Sequence, residues 1–503
     1  MKRQINAIEA ARAALVLQFM ICGVMGGYSQ GLNNLWTGGY ASWAGPPFGG
    51  VDIDFQGGNM SLTYVSRDME YDRTTANISS PSGALLFSTN GVRVADASGN
   101  TMFNGDGLNP GDYADANPVG LLIVQGALIL PSPDNPDLYL LFHMTIDDVV
   151  TLRCERLSLT TIDMSLQGGL GGVVSKNQPI LVDDLNVGRL TAVRHANGRD
   201  WWVFCHKTDT NIFYRLLVTP AGVSIDGTQA IGSLRPPENG QACFSPDGSK
   251  FAYYWGESDL DIFDFDRCTG LFSDSVFVPI DDYDGEGGVA FSPNGRFLYV
   301  SSILDAYQFD TEASDIAASM VHIAHWDSTY SPSPPFATLF DIAQLAPDGK
   351  IYISTANGTD KLHVIHAPDS AGLACDMEQH GIQLPVYFLN SLPNHPNYHL
   401  GPIDGSVCDS LGINVQVVEE ALRLGVQAYP NPNTGSFTLC YAAQPTVGEL
   451  EVRDLSGRIV LRERVPQWSS LHEVDLRSSA AGMYQCTLHW GQRSANVRII
   501  IQP

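Results

Sequence analysis

One five-residue unit recurs along the middle of the chain, and it constrains the fold more than any other feature. It reads Phe244-Ser245-Pro246-Asp247-Gly248, then Phe291-Ser292-Pro293-Asn294-Gly295, then Leu345-Ala346-Pro347-Asp348-Gly349. The starts at 244, 291 and 345 lie 47 and 54 residues apart. Each copy leads into an apolar run, Phe251–Tyr254, Phe297–Val300 and Ile351–Ile353. An apolar residue ends one strand, Pro presets φ, and Asp-Gly or Asn-Gly supplies the positive-φ positions of a tight hairpin. The run that follows is rich in aromatic and β-branched residues, which suit a pleated, half-buried surface. Short strands recurring every 40–55 residues or so are the signature of propeller blades.

Weaker copies extend the series backwards. Ala84–Phe87 precedes Thr89-Asn90-Gly91, Pro131–Asn135 precedes Leu138–Phe142, and His195–Gly198 precedes Trp201–Phe204. These make six core strands. A seventh blade closes if the Trp36–Phe55 region pairs with residues near 383–400, which would remove exposed sheet edges. The expected fold is all-β: a propeller of seven blades, with six blades or a β-sandwich array as the competing readings. The adjacent Trp201 and Trp202 should point to opposite faces, one core and one outward.

Composition agrees. The 503 residues are too many for one core, and 44% hydrophobic against 16% charged argues for a globular chain. The 49 glycines and 29 prolines are scattered, as many short turns require. The formal charge is −26, a field that repels phosphate backbones and anionic lipid, so nucleic acid is not an expected partner.

Residues 1–29 read as a signal peptide: Lys2 and Arg3 precede an apolar stretch from Ala13 to Met25, and Gly27-Tyr28-Ser29 presents small residues before Gln30. The stretch is too short to span a bilayer, and no later window is long enough. A lipoprotein reading would use Cys22, against the bulky Ile21 before it. Without Cys22 there remain Cys154, Cys205, Cys243, Cys268, Cys375, Cys408, Cys440 and Cys486. An exported chain can pair these in many ways. Strand alternation turns Cys440 away from the face that carries Phe437, Leu439 and Tyr441, which argues against a Cys440–Cys486 bridge.

The order of Trp36, Val51–Phe55, Ser88–Gly91, Phe265–Gly270, Ser391–Asn394 and Pro396–Tyr398 resembles exported Bacteroidota propellers with WD-type repeats, over roughly residues 33–405. The resemblance implies a fold more than an activity.

After a linker at 411–424, residues 425–503 break into short alternating strands that imply a small immunoglobulin-like β-sandwich. Tyr429-Pro430-Asn431-Pro432 with Gly435, then Asp454-Leu455-Ser456-Gly457-Arg458, then Ala481-Gly482-Met483-Tyr484 resemble the hallmarks of a type A sorting domain of the type IX secretion system. That resemblance implies passage through the periplasm, export across the outer membrane by the type IX machinery, cleavage near residue 425, and release or surface attachment of residues 30–410.

Chemistry is harder to find. His322/His325 and His363/His366 are three apart, which on a regular strand puts each pair on opposite faces, and His395/His399 flank Pro396 in a turn. Weak calcium candidates are Asp281, Asp282, Asp284 and Glu286 in one loop, with Asp259, Asp261, Asp264 and Asp266 less regular. No EF-hand, nucleophile elbow or phosphate loop is present. No catalytic residue and no cofactor other than calcium are therefore expected. The leading functional expectation is a non-catalytic binding protein for a glycan or protein ligand. The competing one is a hydrolase or lyase working in the central channel.

Overall fold

The computed structural model describes residues 31–409 and 426–502, apart from 57–59, 239, 281–284, 286, 391, 442–446, 467–470 and 492. The expected signal peptide, linker and cleavage sites lie outside the described residues, as do Asp281, Asp282, Asp284 and Glu286. The chain divides into two compact units, residues 1–409 and 410–503. Among the described residues, no helix is long and apolar enough to cross a membrane.

The first unit is a seven-bladed propeller. Blade I has three strands, Leu35–Gly38, Gly50–Asp54 and Ser61–Val65. Six four-stranded antiparallel blades follow. Blade II is Ala76–Ser79, Leu85–Thr89, Arg93–Asp96 and Thr101–Asp106; blade III is Ala127–Pro131, Leu138–His143, Cys154–Asp163 and Gly172–Leu185. Blade IV is Thr191–Arg194, Trp201–Lys207, Thr210–Thr219 and Gly222–Arg235; blade V is Gln241–Phe244, Lys250–Trp255, Asp259–Asp266 and Leu271–Val278. Blade VI is Gly287–Phe291, Phe297–Ser302, Asp305–Asp310 and Val321–His325; blade VII is Ala343–Leu345, Ile351–Ile353, Thr359–Ile365 and Met377–Phe388. Single residue pairs, Gly172 with Phe103 and Leu185 with Lys207, link blades II, III and IV at their flanks.

The repeated corner joins the first strand of a blade to the second. In blade V, Gly248 N–H donates to Ser245 O (2.8 Å) and Ser245 N–H to Lys250 O (2.9 Å). Ser245 Oγ–H donates to Asp247 Oδ1 (2.5 Å) and Oγ accepts from Lys250 N–H (2.9 Å). Blade VI repeats this with Ser292 and Asn294, and blade VII repeats the backbone bonds with Ala346. Only glycine takes positive φ, at +72°, +75° and +79° for Gly248, Gly295 and Gly349. The corner is therefore a type I turn closed by a left-handed glycine. The sequence reading, in which Asp or Asn shared the positive-φ positions, is corrected. Blade II corrects another reading. Its first corner is Ser80–Gly83, with Gly83 N–H donating to Ser80 O (2.8 Å), whereas Asn90-Gly91 turns between the second and third strands.

Blades pack face to face, so their middle strands are buried on both sides. Phe251, Ala252, Tyr253 and Tyr254 are consecutive and all buried. For the same reason both Trp201 and Trp202 are buried, not one of them. Arg194 lies over the Trp201 ring at 3.9 Å, and Trp202 Nε1–H donates to Arg267 O (2.8 Å). Between blades IV and V, Phe204, Phe213, Phe251, Phe263 and Phe272 form an aromatic core. Below it sits a buried charge cluster: Arg189 pairs with Glu238, and Arg235 with Asp261 at 2.8 Å.

Among the described residues, the expected strand pairing of Trp36–Phe55 with residues 383–400 does not occur. Leu35–Gly38 pairs instead with Val51–Asp54, and residues 383–388 pair within blade VII. Blades I and VII meet through side chains, Trp36 and Phe55 against Tyr352 and Phe48 against Tyr387, with one backbone bond from Tyr387 N–H to Pro47 O (2.8 Å).

The chain then leaves blade VII and turns into the ring centre. Asn394 Nδ2–H donates to Ala127 O (3.0 Å) and Leu190 O (2.8 Å), on blades III and IV, and its N–H donates to Thr75 O (3.1 Å) beside blade II. Tyr398 Oη–H donates to Ile129 O (2.8 Å), and Arg267 donates to Gly401 O (2.6 Å). A disulfide from Cys408 to Cys268 fastens this strap to blade V.

The second unit is a small sandwich. One sheet holds Gln427–Tyr429, Ser436–Cys440 and Leu471–Asp475. The other has the order Ile459–Val465, Gly448–Asp454, Gly482–Trp490, Arg493–Ile501. Phe437, Leu439, Tyr441, Leu450, Val452, Cys486 and Leu488 fill its core, in the alternation the sequence showed. Cys486 carries a free thiol, pushed up to about 12 by burial.

Candidate functional site

The ring centre holds a cavity of about 490 Å³. Its wall is the inner strands of blades IV to VII and the first corners of blades V and VII, together with Asn33, Asn34, Phe55, Gln125 and the strap. Amides supply much of its polarity, and several of them hold the ring together. Gln125 accepts from Ala242 N–H (2.9 Å) and donates to Ala242 O (2.9 Å) and Asn394 Oδ1 (3.2 Å). Gln241, just outside the lining, donates to Ala343 O (2.7 Å) and accepts from Val289 N–H (2.9 Å), tying blade V to blades VI and VII. A glutamine can do this because one side chain carries both donors and an acceptor.

Toward the opening, Asn397 donates to Pro246 O (2.6 Å) and Gln344 to Leu345 O (3.5 Å), and Phe244, Phe291 and Pro347 provide apolar wall. His395 donates Nε2–H to Asn77 O (2.8 Å), and burial pulls its pKa down to about 4, so it is neutral. His399 contacts Asn33 Oδ1 (3.0 Å), and burial, then Arg194, lowers its pKa. Burial pushes the Cys243 thiol up to about 12, which keeps it a thiol. The described lining residues include no aspartate or glutamate. The described lining is therefore amide, backbone, histidine and apolar or aromatic in character.

The other candidate residues fall into place individually. His363 is buried, against Leu339 O (3.3 Å) and His380 N–H (2.9 Å), while His366 faces outward to Glu378 (2.9 Å), so that pair is split as expected. Asp259, Asp261, Asp264 and Asp266 do not converge. They serve Ile280 N–H, Arg235, Lys250 and the turn at Cys268–Thr269 respectively. His322 and His325 overturn the expectation that they face apart. The outer strand of blade VI skips one residue between Ala324, opposite Ala306, and His322, opposite Tyr307. That bulge puts both imidazoles on one face, each bonded to Asp305 Oδ1, at 2.7 and 2.8 Å.

In the sandwich, the marked residues form its turns and closure. Asn431 accepts from Ile500 N–H (2.9 Å) and donates to Arg498 O (2.8 Å), which fastens the entry segment after Tyr429-Pro430 to the last strand. Pro432 leads into Asn433, whose side chain accepts from Gly435 N–H (2.8 Å). Gly435 sits at φ +95° where a Cβ would meet the Arg477 backbone at 2.8 Å. Asp454 caps its hairpin, accepting from Ser456 N–H (3.0 Å), Arg458 N–H (3.1 Å) and Arg458 Nε–H (3.1 Å), with Gly457 at φ +83°. Gly482 opens the strand in which Tyr484 Oη–H reaches back to Ala480 O (2.7 Å).

Residues 427–502 match the family model for the secretion system C-terminal sorting domain. The tail is a sorting domain. It places the protein outside the cell or on the outer-membrane surface, exported by the type IX machinery. No curated protein matches the chain. Among solved structures, a Lactobacillus plantarum protein is 13% identical, with 72% of this chain and 98% of that chain covered at TM-score 0.43. A provisionally named 6-phosphogluconolactonase from Bacteroides fragilis is 12% identical over 70% of this chain and 96% of its own, at TM-score 0.41. The Dos1 propeller is 13% identical over 61% and 69%, at TM-score 0.34. The propeller assignment itself rests on the blade pairing of this chain. The sorting-domain residues were legible because turn chemistry fixes them locally. The strap was not, because it carries no repeat.

Proposed function

We propose that the exported propeller is a non-catalytic binding protein, and that its ligand is a neutral polar molecule, a glycan or a peptide segment, held at the channel mouth. The observation that carries this is the lining: amides, backbone carbonyls and aromatic rings around a cavity of about 490 Å³, with its two histidines lowered in pKa by burial. Amides offer paired donors and acceptors to hydroxyl or peptide groups, and Phe244 and Phe291 offer apolar faces. The sorting domain delivers this mouth to the cell exterior, where such ligands are met.

The test is a binding screen of the secreted protein against glycan and peptide arrays, followed by Gln344→Ala and Phe244→Ala. The reading expects saturable binding that each change weakens about tenfold, the effect of losing about 1.4 kcal/mol, with the unfolding midpoint of Gln344→Ala held. Turnover of a bound ligand, or binding indifferent to both changes, would overturn it.

A further inference from the structure

The outer edge of blade VI carries a cluster unrelated to the channel. Asp305 begins the third strand, and His322 and His325 lie on the fourth. Asp305 is paired in register with His325, and Tyr307, two residues on, with His322. Residues two apart on a strand share a face. The bulge at Ile323 therefore brings three side chains, drawn from two strands, to one side of the sheet. Ile323 itself turns inward and is buried, which anchors the bulge in the blade. The ligand-capable atoms, Asp305 Oδ, His322 Nε2 and His325 Nδ1, all lie within 4.8 Å of one another.

The geometry points to a site for a divalent transition-metal ion, with zinc as the representative. Two imidazole nitrogens and one carboxylate oxygen are donors that zinc accepts, whereas calcium and magnesium prefer all-oxygen sets. Bonds of about 2.0–2.1 Å at tetrahedral angles put donor atoms roughly 3.3 Å apart. Here the two nitrogens stand 2.7 and 2.8 Å from Asp305 Oδ1. Metal entry therefore asks for a spread of about half an ångström, and the imidazoles, with side chains 52% and 62% exposed, are free to make it. Asp305, at 18%, is the fixed member. The histidines are also supported from behind: the Tyr307 ring lies 5.4 Å from that of His322, and Gln379 donates to the His325 carbonyl (2.8 Å). Three protein donors leave one tetrahedral position open, for water or for a donor from another molecule.

The experiment is zinc titration of the purified full chain against a chromophoric chelator, with cobalt substitution read by visible absorption. One tight equivalent is expected. His322→Gln, His325→Gln and Asp305→Asn should each weaken it at least about tenfold, since loss of an outer-shell partner alone costs 10–100-fold, and should abolish the cobalt band. His366→Gln, which alters the neighbouring pair with Glu378, should leave both readings unchanged. Far-UV circular dichroism confirms that each variant is folded. Absence of a tight equivalent in the unmodified chain, or one that persists in both His322→Gln and His325→Gln, would overturn the site.

Discussion

The propeller handles polar side chains in two opposite ways. In the ring centre and between blades, key polar groups are consumed by the fold: Gln125, Gln241 and Asn394 bond their amides to backbone, and Arg235 lies between Asp261 and Glu238 with each side chain at most 3% exposed. On the outer flank of blades VI and VII, Asp305 pairs with His322 and His325, His366 with Glu378, and His380 with Asp327, at a partly exposed surface. The lesson is that a polar side chain bonded across blades near the propeller axis is evidence about closure, whereas polar side chains on the flank pair locally at the surface and are left over from building the ring.

The sharpest way to break this contrast is Arg235→Leu. It leaves Asp261 buried without its guanidinium and Glu238 with Arg189 alone. Removing one partner of a buried pair costs about 3–5 kcal/mol. Denaturant unfolding should show a loss of that size, and a loss under 1 kcal/mol would mean that the cluster is wetter than its burial indicates. Next comes Asn394→Ala, which strands the Ala127 and Leu190 carbonyls. At about 1–2 kcal/mol for each of the two carbonyls, the lower part of the range for a buried group left unsatisfied, the expected loss is about 2–4 kcal/mol, because Tyr398, Arg267 and the Cys268–Cys408 bridge still hold the strap.

How much of this the sequence disclosed follows the same division. Local turn chemistry was readable: Ser245–Gly248 and Ser292–Gly295 bond within themselves, so five residues suffice to recognise them. Closure was not. Asn394 meets partners 267 and 204 residues away, and no spacing rule reaches that far. The faces of His322 and His325 were misread for a local reason: one bulged residue reverses the alternation, and nothing in Val321–His325 marks it. Both tryptophans at 201–202 were buried because a blade has two neighbours, whereas the alternation rule assumes a sheet with one wet face.

Acid sharpens the comparison at a smaller scale. His143 is buried, with Nδ1–H donated to Asn109 Oδ1 (2.7 Å) and Nε2 accepting from Thr160 (2.9 Å). Burial lowers its pKa to about 3, and that of His395 to about 4. The folded state holds both neutral, while the unfolded chain takes a proton near pH 6.5. Their contribution is thus fully present above that value and is lost as pH falls toward about 4, at about 1.4 kcal/mol per pH unit for each. His143→Gln should flatten the slope of unfolding free energy between pH 6 and 4 by about that amount, whatever it does to stability at pH 7. An unchanged slope would mean that His143 takes its proton without leaving the fold.

The smallest effect is expected on the flank. His366 and Glu378 are 2.9 Å apart, with side chains 30% and 58% exposed. Water solvates both ends when either is removed, and exposed pairs contribute roughly 0–1 kcal/mol. His366→Gln should therefore shift unfolding free energy by less than about 0.5 kcal/mol, and high salt should erase even that. A loss above 2 kcal/mol, comparable with Asn394→Ala, would place His366 among the groups that build the ring, and the division between axis and flank would fail at that position. A flank that tolerates such changes can afford imidazoles and carboxylates with no structural duty, and that freedom lets Asp305, His322 and His325 be tested as ligands without unfolding the blade that presents them.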